Sequence, residues 1–423
     1  MSARNDRLES QWANLAAELF EQIRQISLAR EGVSRASFGP TETQALELLA
    51  STSVAHGLVA DFDAGRNLWI SLPDSPPGPA IVIGSHLDSV PEGGNYDGLA
   101  GVVAGLLVLL HFQSAGIKPP QPVKVLALRG EESAWFGKAY MGSLALTGQL
   151  GATDLDLPHR ETGQTLRAAM AEIGVDMSLV EAAQPLIDLN TIGAYLELHI
   201  EQGPAMVARQ WPVSPVTGIR GNIRHNRVIC RGETGHSGAV PRWLRKDAVL
   251  ATAELLSRLD EHWRVLQQMG MDLVMTCGMV STNVRSHAVS VIPGELAFSF
   301  EVRSQNESTL EQFYQLMHSE CEQISQSRGV AFEFDRKLYT SPATMAPAWV
   351  DRFEKACLEL EIATETLPSG AGHDAAVFAN IGIPSGMLFI RNDKGSHNPH
   401  EEMELDDFML GVEVLQRAIS LSS

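Results

Sequence analysis

The sequence is poor in cysteine, short of positive charge and without a long apolar run. Its four cysteines, Cys230, Cys277, Cys321 and Cys357, stand far apart and form no Cys-x-x-Cys pair. That argues against a disulfide framework or a thiolate zinc site and fits a reducing compartment. Basic residues number 32 against 51 acidic ones, a net charge of −19, so neither nucleic acid nor an anionic membrane is expected as the main partner. No apolar stretch approaches the roughly 20 residues of a membrane span, and the opening MSARNDRLESQW lacks the apolar core of a secretory signal. A cytoplasmic protein is expected. Repeats of solenoid period are absent too, and the one proline-rich patch, 73–79, is short enough to be a loop.

What is present is a chain of 423 residues, 44% hydrophobic, able to bury a large core and long enough for two domains. Its most informative stretch is 81–103, IVIGSHLDSVPEGGNYDGLAGVV. The apolar run at 80–83 suits a buried strand of a parallel sheet, and the glycine-spaced apolar end suits a helix. The loop between them carries His86, Asp88 and Asp97, at the strand end where open α/β sheets place their sites.

Leu8, Trp12, Leu15, Leu19, Ile23 and Ile26 recur at three- and four-residue steps and predict an amphipathic helix; a second helix follows Thr41. Strands are predicted at 67–72, 80–85 and 123–128, and a helix at 99–115. The 123–128 strand runs into Glu131 and Glu132. Residues 148–190 read as helix and loop, with Thr162 placed to cap a helix running through Glu172. The 194–200 strand then delivers His199, Glu201 and Gln202. From 217 to about 335 the pattern changes to a helix at 244–268, strands at 273–280, 288–292 and 295–303, a helix at 308–326 and a strand at 330–334, the order of an α+β sandwich. After Pro342 the α/β pattern returns: a helix from Ala348, a glycine-rich turn at 369–374 that includes Gly370, a strand at 385–390 and a loop at 395–399 bearing His397. The expected architecture is an α/β domain with a central mixed, mostly parallel sheet, built from 1–212 and 337–423, with an α+β domain, 213–336, inserted.

Singly, these polar residues have bland explanations. A strand-end histidine is more often a hydrogen-bonded structural residue than a ligand, and paired glutamates are usually a solvated surface. As a set they read differently, because His86, Asp97, Glu132, His199 and His397 come from separate segments, nearly all at apolar strand ends that a parallel sheet brings together. Carboxylates and imidazoles without thiolate are the ligands of zinc, manganese or cobalt in a working site rather than of structural zinc. One carboxylate can bridge two ions about 3.5–4 Å apart, a pair that lowers the pKa of a water and stabilises an oxyanion. Asp97 is the natural bridge. Asp88 would orient His86 from behind, and of the two glutamates Glu132 is assigned to metal and Glu131 to proton transfer.

At this point GSHLDSVPEGGNYDGLAGV, EES, LHIEQGP, TGHSGAVP, SGAGHDA and GSHNPHE resemble, in order and over nearly the whole chain, the hydantoinase/carbamoylase branch of the M20 metallopeptidase-like amidohydrolases. The branch contains N-carbamoyl-L-amino-acid hydrolases, β-ureidopropionases and allantoate or ureidoglycolate amidohydrolases. The resemblance implies two divalent ions, zinc first with manganese, cobalt or nickel as alternatives. His86, Asp97 and His199 would hold one ion, and Asp97, Glu132 and His397 the other, with Glu131 as general base. It also implies that the inserted domain is a dimerisation lid, making the protein a homodimer whose His236 reaches the partner's site and steadies the oxyanion. Gln202 and Arg303 would bind a small substrate's carboxylate, with Ser290 and Gly370 beside it; an arginine fork suits a carboxylate better than lysine does.

Three positions depart from the family's pattern. Ser290 replaces the asparagine of Asn-Val-Ile-Pro-Gly, Glu301 replaces the aspartate before the lid arginine, and Trp135 stands where many relatives have arginine, which suggests an altered wall of the site. Cleavage of N-carbamoyl amino acids or related ureido acids is the expected reaction. Two other functions remain open: hydrolysis of N-acyl amino acids, and a metal-stabilised binding protein without turnover. The last would be expected to lack a catalytic group, whereas Glu131 and all five ligands are present.

Overall fold

The structure, a computed structural model, describes residues 2–285 and 288–421. The chain divides into two compact units, one formed by the residues through Gly218 and from Thr344 on, the other by Ile219–Ala343.

The larger unit is built on a nine-stranded mixed sheet. Its centre is parallel: Val123–Leu128, Ala80–His86, Ile192–Ile200 and Ser385–Ile390 lie side by side in that order. Every residue of Ala80–His86 and of Ser385–Ile390 is buried, which is why these strands read as unbroken apolar runs instead of alternating ones. Antiparallel strands flank the centre, Leu68–Ser71 and then Val59–Phe62 on one side and Val213–Ile219 on the other. Val213–Ile219 pairs with Ser385–Ile390, so the chain stays with the larger unit through Gly218, and the smaller unit spans Ile219–Ala343 where 213–336 was expected.

The helix Leu99–Ala115 is apolar on nearly every side and almost wholly buried. It packs on the central strands with Val102, Leu106 and Leu109 in a core shared with Ile81, Val125 and Leu198. The first helix runs Ser2–Ile26. Trp12, Leu19 and Ile23 of its predicted stripe are buried, Leu15 is partly buried against the core, and the side chain of Leu8 lies outside the described residues. The predicted cap at Thr162 is displaced: Thr165 caps Leu166–Glu172 by accepting from Ala168 N, while Thr162 is exposed in the preceding turn. Both threonines precede the same apolar run, and only the one adjacent to it can reach the first free amides.

The smaller unit packs two helices, Ala248–Gln268 and Glu307–Arg328, against an antiparallel sheet. In its strand Glu295–Ser304 buried residues alternate with partly exposed ones, as a half-covered sheet requires. Asp247 and Asn306 cap the helices. The run predicted as one strand at 273–280 is broken into Val274–Thr276 and Val280–Thr282, both pairing with Glu295–Ser304. Of 288–292 only Val291–Ile292 forms a strand, a short ribbon with Gly235–His236. No helix among the described residues is long and apolar enough to cross a membrane.

The helix–sheet contact of the larger unit depends on Gly101. A Cβ there would lie 2.2 Å from the carbonyl oxygen of Leu198, a backbone atom that cannot rotate away. Gly101→Ala should destabilise the protein by about 1–3 kcal/mol or more, read as a lower urea midpoint; an unchanged midpoint would contradict so close a contact.

Candidate metal centre

The parallel strands end together. His86 pairs in register with Leu128, and Phe389 with His199, so His86, the 129–132 segment and the chain after Ile200 leave the same edge of the sheet. Asp97 lies among them. Its Oδ1 is 3.1 Å from His199 Nε2 and 3.5 Å from His86 Nε2, and its Oδ2 is 3.5 Å from His397 Nε2, which is in turn 3.3 Å from Glu132 Oε1. Two triads of donors result, His86–Asp97–His199 and Asp97–Glu132–His397. They share Asp97, one carboxylate oxygen facing each.

This donor set fits divalent ions. His199 Nδ1 donates to Ile200 O at 2.9 Å, and His86 Nδ1 is turned to Asp88, 3.3 Å from Oδ1 and 3.1 Å from its carbonyl oxygen. Each ring is thereby oriented from behind, with Nε2 facing the centre. His199 Nε2 is buried and makes no hydrogen bond, an omission that a cation would relieve. A third group, Glu197–His199–His373, is also close-set, but its members are otherwise engaged. Ser85 Oγ and Ala375 N donate to the two oxygens of Glu197, and His373 Nε2 is 2.8 Å from Ser369 Oγ.

Asp88 does more than orient His86. Its Oδ1 accepts from Glu131 N at 3.0 Å, and its Oδ2 accepts from Glu132 N at 3.0 Å and Ser37 Oγ at 2.6 Å. Gly98 makes room for the ring: a Cβ there would be 2.5 Å from His86 Nε2, and its φ is +69°. Gln202 and His397 are held at φ 62° and 58°, backbone strain that non-glycine residues tolerate only where the surroundings impose it. Gln202 Nε2 donates to Asp97 Oδ2 at 2.7 Å, and so does Ser396 Oγ.

Glu401 and the Glu42–Arg129 pair join the centre without being among the expected site residues. Glu401 accepts from Tyr96 N, Asp97 N and Ser396 Oγ at 2.8, 3.3 and 2.9 Å, joining the loop of Asp97 to that of His397. It closes the GSHNPHE segment, the only available signal. Glu42, fully buried, pairs with Arg129 at 2.7 Å and accepts from Phe38 N and Gly130 N. Trp135 is 4% exposed, donates its indole N–H to Ser89 O at 2.7 Å and stacks on His159.

Glu131 stands with Oε2 4.0 Å from His86 Nε2. Burial raises its pKa well above the usual carboxylate range, against the pull of His86 and with help from the charges of Glu132 and Asp374. Gly370 is exposed in the turn after Ser369. The remaining expected residues lie in the smaller unit. His236 is exposed and accepts from Gly238 N through Nδ1, and Ser290, also exposed, accepts from Ser237 N at 2.9 Å through its carbonyl. Arg303 makes a fork-to-fork pair with Glu301, both bonds 3.1 Å.

Protons would compete with an ion for the histidine nitrogens. Burial alone would lower His86 and His199, but the carboxylates of Asp88 and Asp97 raise the first and that of Asp97 the second. The hydrogen bond with Glu132 lifts His397 to about 9 against its burial. A raised imidazole stays protonated to higher pH, so ion uptake should release protons and apparent affinity should fall as pH drops from 9. Calorimetry of zinc binding in buffers of different ionisation enthalpy measures this; binding heats independent of buffer would refute it.

Residues 82–421 match the peptidase family M20/M25/M40. The N-carbamoyl-L-amino acid amidohydrolase of Geobacillus stearothermophilus is 34% identical over 391 residues, 92% of this chain and 93% of that one. The allantoate amidohydrolase of Bacillus subtilis is 31% identical over 409 residues, 95% and 96% of the two chains. The solved structure of a hydantoinase/carbamoylase family amidase from Burkholderia ambifaria superposes with a TM-score of 0.84 at 28% identity, covering 96% of this chain and 95% of that one. With its donor triads at the strand ends and a match spanning most of its length, the chain belongs to the M20/M25/M40 family.

Proposed function

We propose that the protein is a metal-dependent amidohydrolase that cleaves the carbon–nitrogen bond of N-carbamoyl amino acids or related ureido acids. The observation that carries this is the single carboxylate of Asp97 facing two separate pairs of donors, His86 with His199 and Glu132 with His397, with Glu131 Oε2 4.0 Å from His86 Nε2. The relatives named as N-carbamoyl-L-amino acid and allantoate amidohydrolases supply the substrate class.

His86, Asp97 and His199 would hold one ion, and Asp97, Glu132 and His397 the other, zinc by preference and manganese, cobalt or nickel as alternatives. The ions supply Lewis acidity, easing loss of a proton from water and polarising the substrate carbonyl. Glu131 takes that water's proton as the water attacks the carbonyl carbon, then returns it to the leaving nitrogen. A carboxyl raised by burial is suited to both halves of this exchange. For an N-carbamoyl substrate the products are the amino acid and carbamate, which decomposes to ammonia and carbon dioxide.

Gln202, Ser290, Arg303 and Gly370 would orient the substrate carboxylate. For Arg303 to do so, its fork must open from Glu301 or accept both carboxylates edge to edge. The smaller unit would act as a dimerisation lid, lending His236 to the partner copy. In support, Val280–Thr282 ends its sheet, and Met279, Val280 and Val284 are 61%, 53% and 71% exposed, an apolar edge suited to a second strand. All four cysteines are free, in keeping with a cytoplasmic location.

Glu131→Gln should reduce turnover by at least about 100-fold while metal content measured by plasma emission stays at the wild-type level; retained turnover would remove Glu131 from its role. Metal-loaded enzyme should release ammonia from N-carbamoyl amino acids. Free amino acid from N-acyl substrates without ammonia from carbamoyl ones would replace this reading with an aminoacylase. Sedimentation should give a dimer, and a monomer with full activity would exclude a partner's His236 from the reaction.

A further inference from the structure

The segment before the family match carries a buried cation that none of the roles above uses. Arg35 is 0% exposed. Its Nε donates to Leu87 O at 2.7 Å, its Nη1 to Asn95 Oδ1 at 2.9 Å and Ser27 Oγ at 3.1 Å, and its Nη2 to Asn95 O at 3.3 Å. The backbone of the same residue exchanges bonds with Ser89, Arg35 N donating to Ser89 Oγ at 3.0 Å and Ser89 N to Arg35 O at 2.9 Å. Asn95 is itself tied to the first helix, its Nδ2 donating to Phe20 O at 2.9 Å. Two residues earlier, Val33 and Gly93 bond to each other's backbone in both directions at 2.9 Å.

These contacts share one target. Leu87 is the peptide between His86 and Asp88, and Asn95 is two residues before Asp97. The chain between Leu87 and Asn95 contains no helix or strand, and its pairing at Gly93 is a β-bridge to Val33, so the separation of its two ends depends on contacts from outside it, chiefly from 33–35. The rigid plane of a guanidinium, with donors on several edges, can bond both ends at once; a lysine ammonium is a single point on a flexible stem.

We propose that Arg35 is a positioning residue whose guanidinium ties Leu87 to Asn95 and thereby sets the separation of His86 and Asp97, presetting the donors for the ions. This rests on the reading of His86 and Asp97 as metal ligands. Arg35 makes no contact with substrate or ion and acts through the loop. Its charge is a separate matter: burial lowers its pKa to about 10 against the carboxylates of Asp88, Glu401 and Asp97, so it remains a cation at neutral pH. A cation behind the centre would oppose ion binding, whereas a geometric brace would favour it. The two effects therefore have opposite signs.

The test uses the full chain, stripped by chelator and titrated with zinc against a chromogenic competitor, as wild type, Arg35→Lys, Arg35→Ala and Asn95→Ala. Wild type should bind two ions. Arg35→Lys, which keeps the charge and loses the fork, should bind them about 10- to 100-fold more weakly, with a fall in kcat and little change in KM once zinc is saturating. Asn95→Ala should shift affinity in the same direction by less, and guanidinium ion should restore affinity to Arg35→Ala. Wild-type affinity in Arg35→Lys, or tighter binding in Arg35→Ala, would overturn the proposal. So would a loss of thermal stability with affinity unchanged, which would mark a packing role alone. Should Arg35→Lys fail to fold, Asn95→Ala decides on the same readout. Wild type that binds no ion would instead overturn the metal reading on which the proposal rests.

Discussion

The carboxylate of Asp88 is the constraint on which the centre depends. Strands position residues to within a sheet's register, but a metal pair needs donors fixed more closely than that. Asp88 supplies the correction by reaching sideways from one strand end to the next. It faces His86 Nδ1 with one oxygen and receives the amides of Glu131 and Glu132, one on each oxygen. A proposed ligand, the proposed base and the proposed second ligand are thus indexed to a single group. Because each amide is a backbone donor, the arrangement depends on the chain path, and a carboxylate with several fixed donors keeps its charge even when wholly buried. Burial would raise Asp88, yet His86, Ser37 and the Glu132 amide hold it below the usual range.

The same economy explains the charge distribution around it. Asp88, Asp97, Glu131, Glu132, Glu197, Asp374 and Glu401 are all buried at or near the centre. Glu131 and Glu132 are raised by burial, and Glu401 is pushed up to about 7. Such crowding is costly without compensating positive charge. Arg35 and Arg129 supply part of it from beneath, Arg35 bonding the carbonyls of Leu87 and Asn95 in the loop that carries Asp97, and Arg129 pairing with the buried Glu42. The remaining imbalance lies on the open side, where His86, His199 and His397 point their Nε2 atoms and where cations would complete the balance.

How much of this was legible in the sequence depended on whether a residue announces itself locally. The five donors did, because each follows an apolar run or sits in a glycine-rich loop, and runs of that kind become the parallel strands whose ends converge. Asp88 was legible through its two-residue spacing from His86. Arg35, Glu42, Arg129 and Glu401 were not, since a single charged residue in a polar stretch looks like surface, and only the tertiary path buries it. Thr162 and Thr165 illustrate a smaller failure: both residues suit an N-cap, and the choice falls to whichever amides are unpaired. The boundary between Gly218 and Ile219 could not be read either, because a strand that closes one sheet and a strand that opens another have the same pattern.

The smaller unit adds a separable element. Val291 lies opposite His236 in their short ribbon, and Ser237 N donates to the carbonyl of Ser290, so residue 290 is fixed beside the histidine by backbone bonds. Those bonds are indifferent to the side chain at 290. A serine can therefore stand where relatives carry asparagine without moving His236, and contact with the substrate carboxylate can change while the proposed oxyanion contact is preserved. Glu301 extends the same reasoning. On its strand it lies two residues before Arg303, which puts both side chains on one face, and its carboxylate takes the Nε–Nη2 edge of the guanidinium, an edge that a substrate carboxylate could also use. Two of the three departures from the family's pattern thus fall at or beside residues proposed to recognise the carboxylate, and none falls on a proposed donor or on Glu131. On the proposed roles, divergence in this chain would bear on which acid is bound and would leave the proposed donors and base as they are.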